Sequence, residues 1–366
     1  MGRGDNGVQK NEKNMFEIKK LKTEQSWLKE RQQIITASEM AFALANFCED
    51  ETTRLFYEDI LNKVAAPGKP KSRYAFYVEK HLPAERLELY QEASKTKAME
   101  LGNRCEEIVG EKGFEALKER DERYKQAKLK ANGRTLYKLK VEPIGATPDY
   151  IIEFADGERE ILECKTIDIK NQDKRDIKLE LYKLQVQTQL LCSGLTRGHI
   201  AICCVENGED IYDPDLIEVL ADEELQGHIK QSAIACANWM KSVEDGEASI
   251  DEYYDPSNKK DVACKNMAEL DLEQMCAALE DAEYKKTMYE YRYNQDFLKA
   301  VVKATARQNI EIKGYTINLI TYNPTYYSDK DVPELEQLIE KIKSGLKVVK
   351  TSGSTRMSVL KNVEEV

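Results

Sequence analysis

The chain of 366 residues is 41% hydrophobic and has a formal net charge of −11, which suits one large domain or two ordinary ones with a packed core. It has no run of about 18 apolar residues, and its N-terminus MGRGDNGVQKNEKN lacks the apolar stretch of a signal peptide, so we expect a cytoplasmic protein. Nine scattered cysteines and three histidines exclude the usual zinc spacings and a disulfide framework, so any metal should prefer oxygen ligands.

The N-terminal part begins with a polar segment, residues 1–20, which we expect to be a mobile tail. The stretch WLKERQQIITASEMAFALANF follows, in which Thr36 and Glu39 form a capping-box pattern. This pattern predicts a helix that continues through Phe47, with a start suited to anions. Residues 48–101 include several basic and aromatic side chains, for which DNA contact and a packed loop are equally good interpretations.

The middle of the chain changes from helical to strand periodicity. Apolar spacing predicts a helix over 84–120, and residues 135–166 then alternate as strands, ending in the hairpin ATPDYIIEFADGEREILECKT with a turn at Asp156-Gly157. A helix over 179–195 and a strand over 197–208 follow. This order predicts an α/β (α+β) fold with a mixed central sheet flanked by helices.

Charge is distributed unevenly. Residues 205–261 hold 16 acidic and 4 basic side chains, so the rest of the chain is close to neutral. Residues 123–140, RYKQAKLKANGRTLYKLK, carry seven basic side chains and no acidic one. This segment would either follow a phosphate backbone or form a solvated helix face, which we favour from the segment alone.

The C-terminal third is predicted to be a separate region. Residues 242–262 are acidic and rich in turn formers, which indicates a linker between a main domain at 21–241 and an accessory domain at 263–366. That accessory domain is predicted to be mostly helical, with a short β-hairpin near residues 310–323.

Three charged residues interrupt the apolar hairpin. Glu163 and Lys165 are two apart on a strand and share a face, and the turn can bring Asp149 beside them. Buried carboxylates repel each other unless they are paired or hold a cation, and Mg²⁺ prefers such oxygen ligands. Lys165 could orient or deprotonate a water, since burial and nearby cations lower the pKa of an ammonium. A purely structural salt bridge is the alternative.

The hairpin resembles the active-site signature of the PD-(D/E)xK nucleases through Pro148-Asp149 and Glu163-Cys164-Lys165. More narrowly, the chain resembles the lambda exonuclease and YqaJ-type viral recombinase family in four blocks. These blocks are WLKERQQIITASEMAFALA, LGNRCEEI with Gly102 and Glu106, the hairpin itself, and YKLQVQTQL.

The resemblance implies a restriction-endonuclease-like core and a Mg²⁺-dependent exonuclease, with Mn²⁺ as a substitute and two ions per site. It would degrade one strand of linear duplex DNA from the 5′ end, leaving 3′ tails for recombination by strand annealing. Asp149, Glu163, Glu106 and the backbone carbonyl of Cys164 would hold the metals, and Lys165 would position the attacking water. The family also implies an annealing-protein partner, a ring-shaped trimer and, for a phage protein, the bacterial host cytoplasm.

The same resemblance assigns DNA contacts. Arg31, Thr36 and Ser38 would receive the 5′ phosphate, and Tyr182, Gln185 and Gln187 would act near the metals or on the DNA backbone. Helix geometry places Tyr182 and Gln185 on one face, extended by Gln189, whereas Gln187 faces elsewhere and could be an exposed polar residue. Ordinary capping is the alternative for Thr36 and Ser38, and an ion pair with Glu30 or Glu39 is the alternative for Arg31.

Three other functions stay open at this point. A Cas4-like iron–sulfur exonuclease shares the hairpin but needs a cysteine quartet, which these dispersed thiols do not resemble. A restriction-type endonuclease would cut a covalently closed circle. A non-catalytic DNA-end binding scaffold would keep the fold without turnover, although Glu106, Asp149, Glu163 and Lys165 are all present.

Overall fold

A computed structural model gives the fold of this chain. It describes residues 15–84, 86–87, 97–206 and 210–269, then four single residues and the stretches 309–312, 315–322 and 354–361. The chain divides into two compact units, Met1–Ala268 and Glu269–Val366.

The first unit contains runs of helices and runs of strands. The helices are α1 (Glu24–Gln32), α2 (Met40–Phe47), α3 (Glu51–Ala65), α4 (Arg73–His81), α5 (Lys97–Arg120), α6 (Arg175–Ser193), α7 (Glu223–Glu244) and α8 (Lys259–Glu269). The strands are β1 (Phe16–Lys20), β2 (Ile35–Thr36), β3 (Lys128–Ala131), β4 (Thr135–Leu139), β5 (Ile144–Ala146), β6 (Tyr150–Glu153), β7 (Arg159–Asp168), β8 (Arg197–Glu206), β9 (Asp210–Ile211) and β10 (Asp215–Leu220). Short 3-10 turns lie at Ala37–Glu39, Glu122–Gln126, Ile169–Lys174 and Ile250–Tyr253.

The strands form two sheets. The larger has the order β10-β8-β7-β6-β3 with β9 on β8, and the smaller has the order β1-β4-β5-β2. β7 and β8 run parallel in the larger sheet, while β6 and β7 are antiparallel around the turn that Gly157 closes with a φ of 90°. Glycine tolerates this positive φ without a Cβ clash. The predicted hairpin, helix and strand are therefore confirmed, and the fold is the predicted mixed α/β class.

Two helices cover opposite faces of the central strand β7. Ile161 packs with Leu184 of α6, whereas Leu162 packs with Val109 of α5. Because side chains alternate across a strand, Glu163 shares the face of Ile161 and Cys164 shares that of Leu162. This alternation points Glu163 towards α6.

Two glycines allow α5 to lie directly on the sheet. A Cβ at Gly110 would stand 2.6 Å from the ring of Tyr150, and a Cβ at Gly113 would stand 2.7 Å from the Cβ of Ala201. Any larger residue at either position would push the helix away from the sheet. This close approach brings the preceding turn of α5, which carries Glu106, next to β6 and β7.

The structure differs from several sequence-based boundaries. Phe16–Lys20 form β1, paired with β4, instead of belonging to a tail. Residues 123–140 form β3 and β4 with a 3-10 turn, so the favoured solvated helix is wrong. The predicted linker at 242–262 contains the last residues of α7 and the first residues of α8. The division between the two units falls after Ala268.

Other predictions fall partly or wholly outside the described residues. The predicted helix over 84–120 is observed as α5 from Lys97, and part of the preceding segment lies outside. Most of the helical region predicted at 263–366 also lies outside, so its helical content stays a prediction. In the second unit, β11 (Asn309–Ile312) and β12 (Tyr315–Tyr322) form the predicted hairpin, and β13 (Ser354–Lys361) pairs with β12.

The cysteines are free in the described part of the chain, and all but the half-buried Cys204 are buried there. None of the described helices combines the length and the apolar character that a bilayer crossing requires.

Candidate active site

The hairpin and its flanking helices enclose one central pocket of about 640 Å³. We call it the central pocket, and its polar lining side chains are Arg31, Ser38, Asn103, Glu106, Thr147, Asp149, Glu163, Lys165, Thr166, Lys178, Tyr182 and Gln185. Four of the predicted metal and catalytic side chains, Glu106, Asp149, Glu163 and Lys165, therefore face the same space.

β6 and β7 position the acidic residues of the hairpin. The backbone N–H of Cys164 donates to Asp149 Oδ2 at 2.8 Å, which fixes that carboxylate against β7. Lys165 Nζ donates to Glu163 Oε1 at 2.6 Å, so these two residues form an ion pair on one strand face. Within the described part of the chain Asp149 forms no ion pair, so a salt bridge accounts for only part of the cluster.

Helix α6 holds the carboxylate of Glu163 in place. Gln185 donates its amide to Glu163 Oε1, and Gln189 donates to Oε2 at 2.7 Å. The side chain of Glu163 is only 1% exposed. Because a buried carboxylate needs its oxygens satisfied, these two amides stabilise Glu163 in the interior and fix its orientation.

The carboxylates destabilise one another's charge. Burial first, and repulsion from Glu163 second, raise the pKa of Asp149 well above its ordinary value. The same two causes, in the same order, raise the pKa of Glu106. These two groups accept a proton more readily than ordinary carboxyls, and a bound cation would relieve the same repulsion.

Lys165 differs from the sequence-based expectation that burial would lower its pKa. Burial does disfavour the ammonium, but the neighbouring carboxylates of Glu163 and Asp149 outweigh it and raise the pKa of Lys165. Its Nζ also lies 5.3 Å from the centre of the Tyr182 ring, a distance suited to a cation–π contact. Lys165 is therefore a charged hydrogen-bond donor in this arrangement.

The donor set fits a hard divalent cation. Asp149, Glu163 and Glu106 present carboxylate oxygens to one pocket, and no thiol or imidazole lines it except Cys164, which packs with Cys105 and Val109 in the core. Across the described ranges, no three His, Cys, Asp or Glu side chains stand in a ready metal-binding group. In this structure the oxygens of Glu163 accept hydrogen bonds from Lys165, Gln185 and Gln189.

One wall of the central pocket is basic and comes from α1. The guanidinium of Arg31 stacks on the ring of Trp27, with its Cζ 4.2 Å from the ring centre, and Arg31 Nη2 lies 3.5 Å from Ser38 Oγ. Trp27 Nε1 in turn donates to Thr147 Oγ1 at 3.5 Å. Arg31, Ser38 and Thr147 therefore present a cation and two hydroxyls beside the acidic cluster.

Thr36 lies beneath this wall instead of lining the pocket. Its hydroxyl donates to Glu39 Oε2 at 2.8 Å and lies 3.1 Å from Ser38 Oγ, so it caps the turn as its alternative interpretation proposed. Direct phosphate contact by Thr36 is not supported by this position.

Gln187 faces away from the central pocket. It is buried, donates to the carbonyl of Leu220 at 2.6 Å, and accepts from the backbone N–H of Asp222 at 3.0 Å. Its alternative interpretation as an exposed polar residue is wrong, and its DNA contact stays a prediction for a residue that does not line the central pocket. Its position follows from the 200° that separates residues two apart on a helix.

Glu39 anchors the basic wall through a buried ion pair. Lys80 Nζ donates to Glu39 Oε2 at 2.7 Å, to the carbonyl of Arg31 at 2.9 Å and to that of Ile34 at 2.6 Å. Three acceptors use all three ammonium protons. Burial opposes ionisation of Glu39, but Lys80 and Lys71 outweigh it and lower the pKa of Glu39 to about 2.

We expect Glu39→Gln to destabilise the protein in a pH-dependent way. A carboxyl whose folded pKa is depressed stabilises the fold above its ordinary value of 4.5, and this contribution is lost as the pH falls towards about 2. The free energy of unfolding should drop by about 3 kcal/mol at pH 7 and by much less at pH 3. Urea unfolding followed by tryptophan fluorescence measures this, since both tryptophans lie in the first unit. A difference that is constant from pH 7 to pH 3 would contradict the assignment.

Two residues at this site, Thr147 and Lys178, were missed, whereas Gln189 was expected to extend the face of Tyr182 and Gln185. Thr147, Lys178 and Gln189 line the pocket or contact Glu163. Thr147 directly precedes Pro148-Asp149, so its position beside the hairpin motif could have identified it as a site residue. No sequence pattern distinguishes Lys178, because it lies in a charged segment.

Residues 26–196 match the family described as YqaJ-like viral recombinase domain. Among solved structures, an alkaline exonuclease (LHK-Exo) from Laribacter hongkongensis is 15% identical, with a TM-score of 0.37 over 61% of this chain and 95% of that chain. A phage related exonuclease from Haemophilus somnus 129PT is also 15% identical, with a TM-score of 0.33 over 52% of this chain and 95% of that chain. No curated protein matches the chain significantly. The family match covers every predicted site residue, and residues 26–196 of this chain are therefore similar to the YqaJ-like viral recombinase domain family.

Proposed function

We propose that this chain is a metal-dependent exonuclease that degrades one strand of linear duplex DNA from its 5′ end. The product would be a duplex with 3′ single-stranded tails, the substrate for recombination by strand annealing. The proposal rests on the YqaJ-like domain and on the groups that meet in the central pocket.

One observation carries the proposal: acidic and basic groups with different tasks share one pocket. Asp149, Glu163 and Lys165 line the central pocket together with Arg31 and Ser38. A phosphodiester cut next to a terminal phosphate requires this combination, because cations must hold the terminus while the scissile phosphate reacts nearby.

The residues of this chain have separate roles in the reaction. Arg31, Ser38 and Thr147 hold the 5′ phosphate and set how far the strand enters. Lys165 donates a hydrogen bond that orients the attacking water, while Gln185 and Gln189 keep Glu163 in a fixed rotamer. Tyr182 packs beside Lys165 and restricts its ammonium to the pocket.

A divalent cation would be held by Asp149, Glu163, the carbonyl of Cys164 and, directly or through water, Glu106. When bound, a divalent ion supplies charge neutralisation at the phosphate and activation of the attacking water. We propose Mg²⁺ as the physiological ion, with Mn²⁺ as a substitute and two ions per site. Three carboxylates that face one pocket favour a divalent over a monovalent ion.

Digestion of linear duplexes labelled at either end tests the function, with Mg²⁺ and then with EDTA. We expect release of label from the 5′ end before the 3′ end, and none in EDTA. A covalently closed circle should stay intact. Cleavage of the circle would favour a restriction-type endonuclease, and binding of ends without release would favour a non-catalytic scaffold.

We expect Arg31→Ala to reduce the preference for 5′-phosphorylated over 5′-hydroxyl ends. A hydrogen bond to a charged group is worth about 1.5–3 kcal/mol, which corresponds to a loss of about 10- to 100-fold on phosphorylated ends. Initial rates on duplexes that differ only in the 5′ phosphate measure this. Lys29→Ala is the matched control, because Lys29 lies exposed on the same helix. An equal loss on both ends would contradict the phosphate role.

The proposed partners follow from the family and the substrate. DNA ends bind in the central pocket, and a single-strand annealing protein would receive the 3′ tail. We also propose a homo-oligomer, for which a trimer is the family-like arrangement. Sedimentation of the full chain, with and without duplex, tests the subunit number.

A further inference from the structure

A second cavity of about 420 Å³ adjoins the central pocket. The two share Ser38, Tyr182 and Gln185, so the second cavity begins where the basic wall ends. We call it the side pocket. Its volume falls within the range of about 300–1,000 Å³ that is typical of small-molecule sites.

The walls of the side pocket are mostly apolar. They come from the start of α2, the end of α3, the α4 region and one face of α6, and the lining apolar residues are Ala37, Ala41, Phe42, Leu61, Val64, Ala65, Pro70, Phe76, Leu181 and Leu184. Apolar and aromatic walls of this kind accommodate a flat heterocycle, which buries its faces there.

Two lysines give the side pocket a polar end. Lys71 lies before α4 and Lys260 lies in α8, and both line the cavity. Lys71 is paired with Glu79, whose Oε2 lies 2.5 Å from the ammonium. No described residue forms an ion pair with the ammonium of Lys260.

The surroundings of these lysines hold more cations than anions. Arg31, Lys71, Lys80 and Lys260 interact electrostatically with one another or with the carboxylates of Glu39 and Glu79, and Asp261 also acts on Lys260. Glu39 is already engaged by Lys80 and Thr36. Burial first, and repulsion from Lys71 second, lower the pKa of Lys260. Such a cation excess favours an anionic ligand.

We propose that the side pocket binds a deoxynucleoside 5′-monophosphate, with the phosphate on Lys71 and Lys260 and the base against the apolar walls. This inference rests on the proposed function, since such nucleotides are the units that the exonuclease would release beside the shared residues. Lys260 lies outside residues 26–196, which match the family, but it lines the same cavity as residues from that range. The side pocket would therefore retain product and make the reaction sensitive to product inhibition.

Equilibrium titration of the full chain with dAMP in EDTA tests the inference directly. Lys260→Glu is compared with Lys259→Glu, which makes the same charge change one residue away and outside the cavity lining. We expect the Kd for dAMP to rise at least about tenfold in Lys260→Glu and to change less than about twofold in the control. Equal affinities in the two variants would overturn the assignment.

Two further comparisons test separately the contributions of the apolar walls and of the phosphate to dAMP binding. Ala65→Phe fills the cavity without changing charge and should weaken dAMP binding while leaving the thermal unfolding midpoint within a few degrees. Deoxyadenosine should bind far more weakly than dAMP. Inorganic phosphate that binds as tightly as dAMP would overturn the nucleotide assignment, because the apolar walls would then contribute nothing.

The outcomes separate this inference from the proposed function. If the chain releases nucleotides from linear duplex but both lysine variants bind dAMP equally, only the side pocket is misassigned. If no nucleotides are released, the proposed function fails whatever the titration gives. In the active enzyme, added dAMP should inhibit the parent and the Lys259→Glu control more strongly than Lys260→Glu.

Discussion

Lys165→Ala is expected to lower the exonuclease rate by about 100- to 10,000-fold, the contribution typical of a positioned group that handles the reacting water. The ammonium faces the central pocket and donates to Glu163 Oε1 at 2.6 Å, next to the space where the scissile phosphate would lie. Removing it leaves the water unoriented and the developing charge unopposed. Binding of duplex ends should persist, because Arg31 and Ser38 are unchanged.

The variant should remain folded. Glu163 keeps the two amide donors of Gln185 and Gln189 after Lys165 is removed, so its carboxylate is not left without partners. Single-turnover release of labelled nucleotides measures the rate, and gel shift in Ca²⁺ measures binding. Lys170→Ala is the control, since Lys170 lies exposed in the following 3-10 turn. Digestion by Lys165→Ala at the parental rate would contradict the role.

Asp149→Asn is expected to abolish activity while preserving or raising stability. The substitution removes a metal-binding charge, and the loss of several kcal/mol of charge stabilisation corresponds to a rate loss of about 1,000-fold or more. The amide oxygen can still accept from the backbone N–H of Cys164, which holds Asp149 in the parent. Activity and stability should therefore change in opposite directions.

The stability effect should depend on pH with a defined sign. Burial and repulsion from Glu163 raise the pKa of Asp149, so the folded state is most favoured below the ordinary value of 3.8 and loses this advantage as the pH rises. Asn carries no such penalty. In EDTA, the free energy of unfolding of Asp149→Asn should therefore increase relative to that of the parent as the pH rises above about 4. Urea unfolding at several pH values measures it, with Asp173→Asn as an exposed control. A variant less stable than the parent at pH 8 would contradict the repulsion.

Local signals explain what the sequence allowed us to predict. The hairpin around Gly157, the capping pair Thr36 and Glu39, and helix α6 each depend on short-range periodicity or turn chemistry. Asp149, Glu163 and Lys165 could be placed together because a two-residue period and one turn bring them there. Glu106 entered only through the family resemblance.

Long-range packing explains the features that the sequence did not allow us to predict. Strand β1 forms because Phe16–Lys20 pair with β4, more than a hundred residues later. Gln187 is buried because its partners, Leu220 and Asp222, lie beyond the next strand. The side pocket needs Lys260 beside Lys71, and no local pattern in either segment indicates that meeting.

The central claim is that the carboxylates at the hairpin tolerate each other because divalent cations bind between them. The direct test is anomalous diffraction from crystals of the full chain with a duplex end, soaked in Mn²⁺. We expect an anomalous peak for a manganese ion bound by the side chains of Asp149 and Glu163, and we expect this peak to be absent in Asp149→Asn. Density for DNA in the central pocket with no manganese at these carboxylates would contradict it.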